Sequence, residues 1–186
     1  HSFPTRRSSD LIKVYPVYIS ISIPGGLPLG VTKDNILHTK HRRNPNMIEI
    51  LTAFGLMEGE GSGYDLIYEL DAVEAKKQPE IESTFNTVTV YQSAEITDKE
   101  VVRLMDYVDH NYQLSQKNKI AFGIIAREKR IAATDLSKIL QLSAEERLRS
   151  YIDNLDKSHL ITKSGVKKGS YFQINPTLLR NAKSNI

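Results

Sequence analysis

The sequence contains no cysteine among its 186 residues, and it has no long uninterrupted run of apolar residues. The first absence excludes disulfide bonds, thiolate zinc sites and thiol catalysis. The second excludes a membrane-spanning helix, so we expect no membrane partner, while the lack of cysteine fits a cytoplasmic protein. No segment matches G-x-x-x-x-G-K-[ST], so the phosphate-binding loop of motor ATPases is also missing.

Acidic side chains are scarce towards the C-terminus. From Asp98 onward, 16 Lys and Arg residues stand against 10 Asp and Glu residues, whereas residues 1–97 carry 9 and 12. After Asp156 the sequence has no acidic residue, while basic residues continue to Lys183. Because a polyanion would be attracted to that end of the molecule, we expect DNA as a partner.

The first residues are unlike the rest of the chain. The segment "HSFPTRRSSDL", residues 1–11, resembles translated sequencing-adapter read-through, and we expect it to be a non-native artefact. We therefore expect the chain to be the C-terminal fragment of a longer protein. With 40% hydrophobic and 25% charged residues, the composition is that of a globular protein.

Residues 12–93 combine strand and helix signals and are predicted to form an α/β domain. Apolar and polar residues alternate from Val14 to Ile23, which predicts a strand. Asn44-Pro45 is a typical helix start, and Gly55 is a typical helix stop. The other predictions are a short helix over Thr32–His38, a helix over Tyr64–Leu70, a solvated helix tail or linker at "DAVEAKKQ" (71–78) and a strand over Phe85–Tyr91.

Residues 97–180 carry a series of helix and hairpin signals. Thr97 and Glu100 have the spacing of a capping box, and so do Ser143 and Glu146. The order of the segments predicts a winged helix-turn-helix domain, so the whole chain is predicted to be α+β. The further predictions are helices from Ser115 and Thr134, an extended Arg130-Ile131, strands near Leu160 and Ser170 around "KSGVKKG", and a disordered tail over residues 181–186.

The second helix of the predicted helix-turn-helix, residues 143–158, is the segment expected to enter the major groove of DNA. Its outward face carries guanidinium, hydroxyl, amide and ammonium groups, which suit base edges and phosphates. Lysines of the predicted hairpin, or wing, would neutralise the DNA backbone. The candidate DNA-binding residues are Arg147, Ser150, Asn154 and Lys157 on the helix and Lys163, Lys167 and Lys168 on the wing.

The segment "GLMEGEGSGYDLIYEL", residues 55–70, is a glycine-rich loop that leads into a predicted helix. Gly61 and Gly63 would let backbone amides approach an anion, which would also face the positive end of the helix. A tight turn between two packed helices explains the same glycines. This segment alone therefore leaves phosphate binding open.

The order of the N-terminal segments resembles the C-terminal region of the RecG-related family of ATP-dependent DNA helicases. These proteins are also described as transcriptional regulators with a Schlafen-AlbA-type domain upstream. The resemblance covers about Val14 to Tyr91 and implies part of an α/β sandwich similar to the GHKL ATPases, with ATP held by glycine boxes. Its landmarks are "PGGLP" at 24–28, "RNP" at 43–45, "FGL" at 54–56 and "GSG" at 61–63.

The resemblance also implies which residues would hold the nucleotide. The family's upstream helix, which carries carboxylate and amide ligands, has no counterpart in this sequence, so Mg²⁺ would bind only with an upstream segment. We therefore expect no metal site and no complete catalytic site within the chain. The implied nucleotide-binding residues are Gly25 and Gly26 in the first glycine box, Gly61 and Gly63 in the second, and Arg42, Arg43 and Asn44 near the lid.

Two classes of function remain open beside a DNA-binding transcriptional regulator. One is an ATPase of the RecG-related family in which the winged helix is accessory. The other is a protein-interaction module. Glu145 and Glu146, at the start of the predicted recognition helix, count against DNA, although helix capping also explains them. A homo-oligomer is compatible with each class.

Overall fold

The computed structural model describes residues 11–58, 61, 63–143, 148–165 and 169–184, with side chains to residue 182. It is a mixed α+β fold with two antiparallel sheets, which confirms the prediction at that level. No helix within these ranges is long and apolar enough to cross a membrane. In chain order the elements are β1 (Leu11–Val14), β2 (Tyr18–Pro24), α1 (Pro45–Ala53), α2 (Gly63–Val73), β3 (Glu80–Ser83), β4 (Thr87–Ser93), α3 (Lys99–Asn111), α4 (Gln116–Glu128), β5 (Arg130–Ala132), α5 (Ala133–Ile139), α6 (Arg149–Lys157), β6 (Ile161–Ser164), β7 (Tyr171–Ile174) and α7 (Pro176–Ser184).

The first sheet has four antiparallel strands in the order β1-β2-β4-β3. The strand predicted from Val14 to Ile23 is divided, because the chain reverses before Tyr18, whose carbonyl accepts a hydrogen bond from the Tyr15 amide at 2.9 Å. β3 was not predicted, since half of its four residues are glutamates, which are rare in strands. It is a strand because it pairs with β4.

Residues 25–43 form turns and irregular chain, and the short helix predicted over Thr32–His38 is absent. Asn35 accounts for the difference. Its Oδ1 accepts a hydrogen bond from the Thr32 amide at 2.7 Å, and its Nδ2 donates to the Gly30 carbonyl at 2.9 Å. Such bonds from a side chain to nearby backbone groups compete with the hydrogen bonds of a helix.

α1 begins at Pro45, and Gly55 follows its end with a φ of 68°, as the start and stop signals predicted. The helix nevertheless packs little of its surface. None of its residues is buried, and the adjacent Phe54 is 77% exposed.

α2 lies where a helix was predicted, but it turns a different face to the interior. Leu66 and Leu70, two of the apolar residues behind the prediction, are each 50% exposed. Tyr68, Asp71 and Ala72 are buried instead. The span 71–78 is therefore not the solvated tail that was predicted, because its first two residues lie against α4 and the first sheet.

The C-terminal elements follow the predicted order of helix, strand, helix, helix and hairpin. α4 lies at the centre and packs against α2, α6 and β7, and the second sheet has the order β5-β7-β6. The tail predicted to be disordered from residue 181 is helical to Ser184. Leu178 and Ala182, four residues apart on α7, are both buried in the core and hold this helix in place.

The helix starts show which capping signals operate. Ser115 caps α4, because its Oγ accepts a hydrogen bond from a first-turn amide at 3.3 Å. At α3 the capping residue is Asp98, whose Oδ1 accepts from the Glu100 amide at 2.9 Å. Thr97, which was predicted to be the cap, donates its hydroxyl hydrogen to the Ala75 carbonyl at 2.6 Å. The cap is thus displaced by one residue.

The second predicted capping box, Ser143 with Glu146, lies partly outside the described residues, and α6 is described from Arg149. One hydrophobic core joins both halves of the chain. It contains Leu37, Tyr68 and Ala75 from the first half together with residues of α3 to α7. The division into domains at residues 93–97 stays a prediction.

Candidate functional site

The first glycine pair lies at the end of β2, beside the turn that joins β3 to β4. Gly25 has a φ of 93°, which favours glycine, and its amide donates to the Asn86 carbonyl at 2.7 Å. A Cβ at Gly26 would lie 2.8 Å from the Thr84 carbonyl oxygen, so no larger residue fits there. The backbone conformation therefore requires Gly25, and packing requires Gly26. Neither requirement involves a ligand.

Arg43 reaches this glycine pair from the segment before α1. Its Nη2 donates a hydrogen bond to the Gly26 carbonyl at 2.7 Å. The structure thus brings together the first glycine box and one of the basic residues expected near the lid. They border an open groove of about 500 Å³, which is lined by Gly26, Leu27, Val31, Thr32, Lys33, Arg43, Ser83, Thr84 and Phe85.

The second glycine pair contacts a different basic residue. Gly61 has a φ of 66°, and a Cβ there would lie 3.5 Å from the Lys40 side chain. Gly63 is the first residue of α2, whose first turn already carries the carboxylate of Asp65. Burial raises the pKa of Asp65, and the nearby cation of Lys40 opposes that shift. An anion at this helix end would therefore meet a carboxylate as well as the positive dipole.

The two remaining lid candidates are Arg42 and Asn44. Arg42 is exposed. Asn44 precedes α1 as its N-cap residue, but its side chain makes no capping hydrogen bond.

α6 directs three predicted DNA-binding residues outward. Ser150, Asn154 and Lys157 are exposed, while residues on the opposite side of the helix are buried. Asn154 is less available than the sequence suggested, because its Nδ2 lies 3.5 Å from the Oδ1 of Asn118 in α4. Asp153 and Asp156 share the exposed surface, so α6 presents charges of both signs. Arg147, Lys167 and Lys168 lie outside the described residues.

A second basic residue, which the sequence reasoning missed, lies near the hairpin. Arg149 and Lys163 are both exposed and line one groove of about 480 Å³ between the start of α6 and the hairpin. Arg149 was overlooked because the helical pattern placed the candidate face around Ser150 and Lys157. Only the structure shows that the hairpin lies beside the start of α6, where Arg149 is. The other lining residues are Ala133, Leu148, Ile152, Ser170 and Phe172.

Metal ligands are not clustered in the part of the chain that the structure describes. No group of three or more His, Asp or Glu side chains there could hold a metal ion. His38 is half-buried and donates its Nε2 hydrogen to the Leu140 carbonyl at 2.7 Å.

The sheet with its glycine-bearing loops is consistent with an ATPase-like fold of the GHKL type. Residues 11–91 match the family described as "Putative ATP-dependent DNA helicase recG C-terminal". This segment is thus similar to the C-terminal region of the RecG-related family, which confirms the resemblance predicted for Val14 to Tyr91. No match was found among curated proteins.

A solved structure shares the fold of most of the chain. The crystal structure of the DIP2311 protein from Corynebacterium diphtheriae superposes with a TM-score of 0.66 at 19% sequence identity. The match covers 89% of this chain and 35% of the DIP2311 chain. At this identity the likeness concerns the fold alone.

Proposed function

We propose that this chain is the DNA-binding region of a RecG-related transcriptional regulator. In this proposal residues 97–180 form a winged helix-turn-helix domain, in which α5 and α6 are the helix pair and the hairpin of β6 and β7 is the wing. The observation that carries it is that Arg149 and Lys163 both line one groove between α6 and the wing. Two exposed cations on one groove suit the phosphates of a duplex.

The charges on α6 indicate how the helix would approach DNA. Asp153 lies at the middle of α6 and Asp156 lies near its C-terminal end, and phosphates beside either carboxylate would repel it. Arg149 and Ser150 lie in its first turn, the part of a recognition helix that usually contacts base edges. The proposed contact is therefore the N-terminal end of α6 with the wing, and Asn154 and Lys157 lie at its margin.

The test is the salt dependence of duplex binding by the chain with Arg149→Ala and Lys163→Ala combined. Each lost phosphate contact should lower the log–log salt slope by about 0.9, so the double variant should lose about two units. Fluorescence anisotropy with a labelled duplex, from about 50 to 200 mM salt, measures this slope.

The control is the double variant Lys77→Ala and Arg103→Ala. It also removes two positive charges, from exposed residues that do not line the groove. Lys77 lies just before β3, and Arg103 lies on α3. An equal loss of slope in both double variants would show a general charge effect and would contradict the proposed site. A protein that binds no duplex would favour the protein-interaction alternative.

We also propose that residues 12–93 contribute to ATP binding at the groove beside the first glycine pair. The support is the RecG-related match together with two cations, Lys33 and Arg43, that line this groove. Phosphates are bound by such side chains and by exposed backbone amides. Lys33 and Arg43 would hold the phosphates, whereas Mg²⁺ would take its ligands from an upstream segment. Gly61, Gly63, Arg42 and Asn44 remain predictions as nucleotide contacts.

Lys33→Ala is the sharper test of this second site, because Arg43 also bonds to the Gly26 carbonyl and its loss would disturb the loop. Loss of one charge-assisted phosphate contact should weaken ATP binding about tenfold, as measured by isothermal titration calorimetry. Lys77→Ala serves as the control. Equal affinities of the two variants would exclude this groove as the phosphate site, and ATP turnover by the full-length protein would favour the ATPase alternative.

A further inference from the structure

Gln141 occupies an unusual backbone position in the turn between α5 and α6. Its φ is 52°, in the left-handed region that residues other than glycine and asparagine rarely adopt. Glycine would fit this backbone better. The strain of glutamine in this conformation therefore has to be offset by contacts of its side chain.

Both polar atoms of the Gln141 side chain are bonded to the N-terminal half of the chain. Its Oε1 accepts a hydrogen bond from the Leu37 amide at 2.9 Å. Its Nε2 donates to the hydroxyl of Tyr68 in α2 at 3.2 Å. Leu37 and Tyr68 are themselves buried, so water competes little for these bonds.

His38 and Tyr68 reinforce the same contact. His38 donates from Nε2 to the Leu140 carbonyl at 2.7 Å, and the Tyr68 hydroxyl lies 3.5 Å from the Ile139 carbonyl. The His38 ring also packs edge-on against the ring of Tyr151 in α6, with centroids 6.5 Å apart. We name the set of Leu37, His38, Tyr68 and Gln141 the turn latch.

The turn latch connects the two candidate sites. Leu37 and His38 lie in the segment between Lys33 and Arg43, the two cations of the proposed ATP groove. On the other side, the turn at Gln141 leads into α6, which carries Arg149. A shift of residues 33–43 on ligand binding would therefore change the position of Gln141 and Leu140, which precede the proposed recognition helix in the chain.

We propose that Gln141 is a positioning residue through which the N-terminal half of the chain sets the position of α6. The expected consequence is that ATP in the groove alters DNA binding at α6, and this consequence rests on the proposed function. The latch itself rests only on the contacts described above, so the two can be tested apart.

The first test is backbone hydrogen exchange of the whole chain with Gln141→Gly. Glycine removes the side chain but suits the left-handed backbone, so the variant keeps its fold. Amides of residues 149–157 should exchange about tenfold faster, because the two side-chain hydrogen bonds that hold the turn after α5, and through it restrain α6, are lost. Amides of α3 and of the first sheet should not change.

His159→Gly is the matched control. His159 has a φ of 55° and directly follows the C-cap of α6, so glycine gives the same backbone relief at the opposite end of the helix. Its side chain takes no part in the turn latch. Unchanged exchange of residues 149–157 in Gln141→Gly, or an equal change in both variants, would overturn the proposal.

The second test uses duplex DNA and separates positioning from contact. Gln141→Gly should weaken duplex binding about fivefold while leaving the salt slope unchanged, since Gln141 touches no phosphate in the proposed complex. ATP should change the duplex affinity of the wild-type chain but not that of the variant. A lower salt slope in Gln141→Gly would make it a contact residue and contradict the inference.

The two experiments also separate this inference from the proposed function. A wild-type chain that binds no duplex refutes DNA binding, yet the hydrogen-exchange comparison still decides whether Gln141 restrains α6. A chain that binds DNA with unchanged exchange in Gln141→Gly refutes the latch and leaves DNA binding intact.

Discussion

Asp71 is a buried carboxyl group whose ionisation opposes folding. It is only 2% exposed, its Oδ1 accepts a hydrogen bond from Gln92 of β4, and its Oδ2 has no hydrogen-bond partner among the described residues. Burial raises its pKa from the ordinary value of 3.8 to about 6, although the bond from Gln92 and the nearby Lys76 oppose the shift. The folded chain therefore retains this proton to a higher pH than the unfolded chain.

Asp71→Asn should flatten the pH dependence of stability. Between its unfolded pKa and about 6, the folded chain binds a proton that the unfolded chain has released, so the free energy of unfolding falls as the pH rises. From about pH 4 to about pH 7 the wild-type chain should lose roughly 2 kcal/mol relative to the variant. Urea denaturation at both pH values measures the difference.

Asp153→Asn is the control for this prediction, because Asp153 is an exposed carboxylate on α6. It should follow the wild-type profile. If Asp71→Asn followed that profile too, the buried carboxyl group would not titrate with a raised pKa.

Single residues with a local signal were predictable, whereas those with a distant partner were not. Pro45, Gly55 and Ser115 mark helix ends through contacts within a few residues, and the structure confirms all three. Asp71 was assigned to a solvated tail because its environment depends on a bond to Gln92 in another element. Gln141 gave no signal at all, since Leu37 lies 104 residues away.

At the scale of elements, the packing of α2 against α4 depends on Gly123. A Cβ on Gly123 would lie 2.5 Å from the carbonyl oxygen of Ala72 and 2.7 Å from its carbonyl carbon. These are backbone atoms of α2, which cannot rotate away as a flexible side chain can. The two helices approach as closely as they do only because Gly123 has no side chain.

Gly123→Ala should therefore destabilise the chain, although alanine usually favours a helix over glycine by about 1 kcal/mol. Separating two packed helices by a methyl group costs about 1–3 kcal/mol, so a net loss of up to about 2 kcal/mol is expected from urea denaturation. Gly63→Ala is the control, because no atom lies within 4 Å of a Cβ at that helical position. Equal stability of the two variants would contradict the close packing.

The existence of the helices could be predicted better than the faces they bury. α2 was found from its apolar spacing, yet Leu66 and Leu70 are half-exposed and Tyr68 is buried. Periodicity shows that a helix has an apolar side, but the neighbouring elements decide which side is covered. α4, which is buried on most sides, gave no such ambiguity.

At the scale of the whole molecule, the candidate sites were only partly predictable. The concentration of positive charge after Asp98 could be counted from the sequence, and so could the landmarks of the RecG-related region. The presence of Arg149 and Lys163 on one groove, and the hydrogen bond from Arg43 to Gly26, depend on how the elements pack in space. No short-range sequence pattern predicts which residues of distant segments lie close together.

The pairing of β2 with β4 joins segments that are far apart in the chain, since Tyr18 lies opposite Ser93 and Pro24 opposite Thr87. During translation, a ribosome completes β2 well before it reaches β4. Until then one side of β2 exposes backbone donors and acceptors that the finished protein conceals, and such strand margins invite association with other chains. The nascent polypeptide therefore passes through an interval in which chaperones have an obvious target.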